Sequence, residues 1–148
     1  MAKYCCYQVA MDARFEIDVD PSRNLVRQKL AGFFGPDDIA RFVAARNAAH
    51  RRLTCGPNQH VTLADVREMK IQPQEMVQAF GSVLADRSQQ SRKLAFVFSS
   101  SLARMQLLRA AERRDARYFT SIAEAEAWLM ADDDPEDAAP LCREAAAR

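Results

Sequence analysis

Apolar side chains occupy every second position between residues 14 and 20, and acidic side chains alternate with them. This period of two is typical of a β-strand with one buried and one solvent-exposed face. A second extended run follows at residues 25–30, across a turn-forming segment that contains proline, serine and asparagine at positions 21–24. The pattern therefore predicts a β-hairpin over residues 14–30.

Four later segments have apolar residues at helical spacing, and each begins at a residue that favours a helix start. Those residues are Pro36, Pro73, Ser101 and Ser121, and they predict helices over residues 36–53, 73–88, 101–114 and 121–130. The last of them opens on a capping box, in which a serine is followed by a glutamate at the third position after it. Short apolar runs at residues 60–66, 94–98 and 116–120 separate the helices and are typical of buried strands.

This order of elements predicts an α/β fold with a mixed, mostly parallel sheet of about five strands and about four helices packed on its faces. We expect one domain over residues 14–130, preceded by an N-terminal arm at residues 1–13. An acidic linker and C-terminal tail should follow at residues 131–148. The carboxylates of the linker repel one another, so this segment is not expected to pack in the domain. The arm carries Tyr4, Cys5, Cys6 and Tyr7, and by covering a sheet edge it would support a homodimer.

Composition excludes several classes of function. The 148 residues carry 21 basic and 20 acidic side chains, so no global field attracts nucleic acid. We find neither a secretory signal nor an apolar stretch long enough for a membrane span, and therefore expect a cytoplasmic protein. The four cysteines lack Cys-x-x-Cys spacing, and the two histidines stand in no zinc or hydrolase motif. We expect no catalysis, no cofactor and no bound metal.

Three local signatures carry a resemblance to a known family. They are Leu63-Ala64-Asp65-Val66 at a strand end, the strand at 94–98 followed by three serines, and the segment 118–129 that closes on Trp128-Leu129. With the order of elements, they resemble the SpoIIAA-like domains, relatives of the STAS domains of anti-sigma-factor antagonists, over residues 14–130. The resemblance implies an uncharacterised bacterial branch of that family, and a non-catalytic module for protein interaction or regulation.

The chain departs from the family at the regulatory position. Antagonist members carry a phosphorylated serine in an Asp-Ser pair at the start of the helix that follows the Leu-Asp strand, where phosphate would meet the helix N-terminus. Residues 67–74 of this chain contain no serine or threonine. The resemblance therefore implies an interaction module without a phosphorylation switch.

Candidate binding residues cluster where two predicted strands end. Because ligands of α/β sheets gather at the carboxyl ends of the strands, we expect a ligand or partner there. The candidate residues are Asp65, Arg67, Glu68, Gln74, Ser99, Ser100, Ser101 and Arg104. Two structural interpretations compete with this one, since the serines suit a helix cap and the acidic and basic side chains suit an ion pair.

A second function fits the same pattern. A small-molecule or lipid carrier would use a cleft lined by Met76, Phe80, Phe98 and Met105, with polar groups at its mouth. The competing interpretation is that these side chains fill the core, as methionine and phenylalanine at helical spacing commonly do.

Overall fold

A five-stranded sheet positions the candidate residues. The structure is a computed structural model that describes residues 12–112 and 114–131. The strands of its one sheet are β1 (Arg14–Asp20), β2 (Leu25–Gly32), β3 (Val61–Met69), β4 (Lys93–Val97) and β5 (Arg117–Phe119). They lie side by side in chain order, with β1 antiparallel to β2 and every other neighbouring pair parallel.

Four α-helices accompany the sheet within the described residues. They are α1 (Pro36–His50), α2 (Gln74–Leu84), α3 (Ser101–Ala110) and α4 (Ile122–Met130). The predicted fold class is confirmed: a mixed, mostly parallel five-stranded sheet with helices on its faces.

Each predicted helix start lies within one residue of an observed one, and local hydrogen bonds account for three of the four. The backbone amide of Gly35 donates to the Asp38 carboxylate at 2.8 Å, one turn into α1. The Ser100 hydroxyl accepts from the amide of Ala103 at 3.1 Å, and Ser121 caps α4 in the same way. These side chains satisfy amides that a helix leaves without an intrahelical partner.

Three helices end earlier than their apolar pattern predicts, α1 at His50, α2 at Leu84 and α3 at Ala110. After His50 the chain tightens into bonds that span three residues, such as the one from the amide of Leu53 to the carbonyl of His50 at 3.2 Å. The second helix ends at Leu84 because the Asp86 carboxylate accepts from the amide of Ser88 at 3.1 Å and opens a short 3₁₀ turn instead. An aspartate that bonds its own following backbone competes with helix continuation.

The helices divide unequally between the two faces of the sheet. Helices α1, α2 and α3 cover one face, where Leu30, Phe42 and Phe96 belong to the larger buried cluster. Among the described helices, α4 alone covers the other face, where Leu129 is fully buried against strand residues. The fully buried or nearly buried residues beneath α4 are Leu25, Val61, Leu63, Ala95 and Val97.

The predicted flanking segments fall mostly outside the described residues. Residues 1–11 of the arm and residues 132–148 of the tail are not described, so the arm, its homodimer contact and the tail stay predictions. Within the described part, Asp12 forms an isolated bridge to Phe33 at the end of β2.

Candidate functional site

The candidate residues lie at the same end of the sheet, and hydrogen bonds join Arg67 to Asp65 and to Ser99. Asp65 pairs in register with Val97, so the end of β3 adjoins the chain segment that leaves β4. One detail of the expectation is wrong: Arg67 and Glu68 lie within β3 and not after it. The strand is longer because its pairing with β2 resumes at Glu68 opposite Ala31, beyond an irregularity in the register.

Asp65 and Arg67 form a bidentate ion pair. Arg67 Nε lies 2.9 Å from Asp65 Oδ1 and its Nη2 lies 2.9 Å from Oδ2, while the Arg67 amide donates to Oδ1 at 3.2 Å. Burial of Asp65 opposes ionisation, but the hydrogen bonds from Arg67 outweigh it, so the pKa of this carboxyl lies below its usual value. Both carboxylate oxygens are thus engaged with Arg67, as the structural interpretation predicts.

The serines after β4 hold the backbone in place. The Ser99 hydroxyl donates to the carbonyl of Arg67 at 3.2 Å, which ties the end of β4 to β3. Ser100 caps α3, while Ser101 and Arg104 are exposed on the first turn of that helix. The helix-cap interpretation therefore describes Ser100, and Ser99 acts as a link between strands.

The two remaining candidates are solvent-exposed. Glu68 forms an ion pair with Lys29 at 3.3 Å, and more than half of its side chain is exposed. Gln74 is the exposed first residue of α2. Neither residue forms a hydrogen bond with Asp65 or Arg67. For the pKa of Asp65, burial is the largest effect and raises it, whereas Arg67 and then the charge of Lys29 lower it.

Sequence reasoning missed Gln72, a buried residue of the loop between β3 and α2. Its Nε2 donates to the carbonyl of Gly32 at 2.9 Å, and its Oε1 accepts from the amide of Phe34 at 2.9 Å. Gln106 of α3 bonds both backbone groups of Gln72, at 2.8 and 2.7 Å. The only sequence signal was an uncharged glutamine within a polar connector, immediately before Pro73.

Helix α3 directs its apolar stripe outward. The helical period of Leu102, Met105, Leu108 and Ala111 predicts that all four face the core. Ala111 is buried there, yet Leu102, Met105 and Leu108 are 55%, 53% and 41% exposed. The side that faces the sheet and α2 carries Ala103, Gln106, Leu107 and Ala110 instead. We name Leu102, Met105 and Leu108 the outer stripe of α3. A further exposed apolar residue, Ile71, is 39% exposed and lies in the loop that Gln106 binds. An exposed apolar set of this kind is typical of an interaction surface.

A narrow apolar crevice lies between the sheet and helices α1 to α3. Its volume is about 90 Å³, and its walls include Phe42, Phe80 and Phe96, with Lys70 and Gln72 among the few polar residues. Of the residues predicted to line a carrier cleft, Phe80 lines the crevice. Met76 and Phe98 pack in the core and Met105 is exposed, so none of these three contributes to its wall.

Among residues 12–112 and 114–131, no three histidine, cysteine, aspartate or glutamate side chains are grouped as a metal site requires. No helix in that part of the chain has the length and apolar character needed to cross a membrane.

Comparisons with known proteins agree with the fold. An uncharacterized protein of the DUF3478 family from Shewanella loihica PV-4, described as having a SpoIIAA-like fold, superimposes with a TM-score of 0.63 at 14% identity, covering 80% of this chain and 95% of that one. An anti-sigma factor antagonist from Mycobacterium paratuberculosis superimposes with a TM-score of 0.56 at 6% identity, covering 81% and 96%. Neither the family models nor the curated proteins contain a match. The domain therefore has a SpoIIAA-like fold, as the sequence resemblance predicts.

Proposed function

We propose that this chain is a non-catalytic protein-interaction module with a regulatory role, which binds an unidentified protein partner through the loop before α2, the start of α2 and the outer stripe of α3. The observation that carries the proposal is the outer stripe itself. Leu102 and Met105 are each more than half exposed, and burying the exposed part of either side chain would be favourable by about 1 kcal/mol. A protein partner would supply that burial.

The loop beside the stripe is held in one shape before binding. Gln72 anchors it to the end of β2, and Gln106 anchors it to α3. A surface that is already ordered loses less conformational entropy when a partner docks, which supports tight binding from a small area. Ile71 and Gln74 are the exposed side chains of this ordered segment.

The polar side chains of the site form structural hydrogen bonds, which supports a non-catalytic role. Asp65 is engaged by Arg67, and Ser99 donates to a backbone carbonyl. Residues 67–74 also lack a serine or threonine that could accept a phosphate. We therefore propose constitutive binding with no phosphorylation switch at this loop. We also propose that the protein acts in the cytoplasm.

A crosslinking pull-down tests the contact surface. The full chain, and its Leu102→Glu and Met105→Glu variants, would be immobilised and exposed to an extract of the cells that make it. Met130→Glu is the matched control, because Met130 is also an exposed apolar residue but lies on α4, against the other face of the sheet. We expect a crosslinked protein that the two α3 variants lose and the control keeps. Equal recovery by all four proteins would overturn the proposed surface.

The apolar crevice supports a second candidate function, a carrier of a small apolar molecule. Its volume of about 90 Å³ is below the roughly 150 Å³ of a cavity that holds benzene, so a lipid chain would require the helices to separate. Native mass spectrometry of freshly purified protein tests this function. A retained mass that disappears in Phe80→Trp, which fills the crevice, would establish the carrier. A bare polypeptide mass would exclude it.

We also propose that the arm at residues 1–13 supports a homodimer, while residues 14–130 fold on their own. Sedimentation of the full chain and of a chain that lacks residues 1–11 tests both parts. A dimer that becomes a monomer on truncation, with an unchanged circular dichroism spectrum, is the expected result. Identical sedimentation would remove the assembly role of the arm.

A further inference from the structure

A second polar pocket lies at the opposite end of the sheet from Asp65. His60 immediately precedes β3 and His50 ends α1, and their imidazole centroids are 4.4 Å apart. The pocket beside them has a volume of about 50 Å³ and is lined by residues that include Gln28, Arg46 and Thr62. It is independent of the proposed protein contact, because it adjoins the amino ends of the parallel strands.

The pocket contains polar groups that other residues leave without hydrogen bonds. His60 is only 4% exposed, and neither its Nε2 nor the buried Nε2 of His50 has a partner among the described residues. The Gln28 amide and the Thr62 hydroxyl likewise bond no other side chain or backbone group in residues 12–112 and 114–131. Gln28, His50 and Thr62 line the pocket, and His60 contacts the ring of His50. Buried polar groups are normally satisfied, so the unpaired groups of these three lining residues indicate a bound polar species.

The charge around the pocket is positive. Arg46, 6% exposed, and Arg114 both line it, while the carboxylate of Asp86 is 42% exposed and lies 3.5 Å from Arg46 Nη2. Arg46 is thus buried and Arg114 is half-buried, whereas the carboxylates that act on them, Asp86 and Asp115, are both exposed. Burial lowers the pKa of Arg46 and of Arg114, which agrees with charges that are incompletely compensated.

We propose that this pocket binds a small oxyanion that carries a proton, of the hydrogen phosphate class. Its volume of about 50 Å³ has room for a few water-sized groups at about 10–15 Å³ each, which matches a small tetrahedral anion. The arginines, Gln28 and Thr62 would donate to its oxygens, and planar guanidinium groups suit oxyanions well.

His50 provides the reason for a proton on the anion. Its Nδ1 lies 2.7 Å from the Gln89 side-chain oxygen, so in the neutral ring the hydrogen is on Nδ1 and Nε2 is an acceptor. An anion that bears a hydroxyl can donate to that Nε2 while its other oxygens accept from the arginines. Sulfate carries no proton at neutral pH. A comparison of phosphate with sulfate therefore tests whether the bound anion carries a proton.

Thermal unfolding of the full chain at pH 7 tests the site, with phosphate, sulfate or chloride added at matched ionic strength. We expect a saturable rise in midpoint with phosphate of roughly 5–15 °C at a hundredfold excess over Kd, and a smaller rise with sulfate. Side-chain spectra of the two histidines should shift with the same saturation curve. Gln28→Leu and Thr62→Val, which are close in shape, should fold and lose the response. Gln78→Leu, an exposed glutamine on α2 outside the pocket, should keep it.

Each alternative outcome is decisive. A pocket that holds only water would give phosphate and chloride the same effect, which would overturn the proposal. A phosphate response that persists in both Gln28→Leu and Thr62→Val would place the anion elsewhere. Sulfate that stabilises as strongly as phosphate would overturn the choice of a proton-bearing anion.

Discussion

Gln106 of α3 and Gln72 of the preceding loop bind each other through two reciprocal hydrogen bonds. The Gln106 oxygen accepts from the Gln72 backbone amide at 2.8 Å, and its Nε2 donates to the Gln72 carbonyl at 2.7 Å. The side-chain amide of Gln106 thus bonds both the N–H and the C=O of one residue, as a neighbouring strand would. This pairing fixes the distance between the loop and the helix that carries the outer stripe. The shape of the proposed contact surface depends on this pair.

Replacing Gln106 by leucine should loosen the loop. Two partly buried backbone groups of Gln72 would lose their partners, at a cost of about 1–3 kcal/mol in the free energy of unfolding. Urea unfolding measures that cost, and hydrogen exchange at the Gln72 amide should accelerate. The same substitution at the exposed Gln78 is the control and should change stability by less than about 0.5 kcal/mol. A protected Gln72 amide in the leucine variant would contradict the assignment.

Asp65→Asn should weaken the domain at neutral pH and converge with the wild type in acid. The folded-state pKa of Asp65 lies below its usual 3.8, so the stability from its ionised form is present above that pH and is lost as pH falls through the lower folded value. Because Arg67 is 43% exposed, we expect only about 1 kcal/mol at pH 7. The control, Asp18→Asn, removes a looser pair at 3.7 Å from Arg27 on a carboxylate that is 71% exposed. A control as costly as Asp65→Asn would show that the pair has no special role.

His60 should make the protein sensitive to mild acid. Burial lowers the pKa of His60 from 6.5 to about 4, with smaller contributions from the charges of His50, Arg114 and Arg46. The neutral ring is favoured in the folded state, so stability is complete above about pH 6.5 and is lost as pH falls towards 4. The loss should total about 1–3 kcal/mol in phosphate-free buffer.

An NMR titration measures this pKa directly, and urea unfolding at several pH values measures the loss. His60→Gln should remove most of the loss in that window and leave the part that belongs to His50, whose pKa burial also lowers. A His60 ring that titrates near pH 6.5 in the folded protein would refute the prediction.

The sequence predicted the order of elements well because that order depends on local periodicity and on start signals. It failed at α3, where Leu102, Met105 and Leu108 have a helical period but point away from the sheet. Periodicity shows that a helix has an apolar side without showing what covers it. The Gln72–Gln106 pair spans 34 positions and the His50–His60 contact joins two elements, so no local pattern could reveal either. Asp65 and Arg67 were found because only one residue separates them in the sequence.

Leu129→Ala should be among the most costly core substitutions, because α4 is the only helix that covers its face of the sheet in the described part of the chain. Leu129 is 0% exposed and packs in the same cluster as Leu25 and Val61. Loss of its side chain leaves a cavity that a single helix can only partly close, so we expect a loss of about 2–5 kcal/mol in the free energy of unfolding. The adjacent Met130 is 38% exposed, and Met130→Ala should cost less than about 1 kcal/mol. Chemical unfolding of both variants checks the contrast. Equal losses would mean that α4 does not seal this face as the packing indicates.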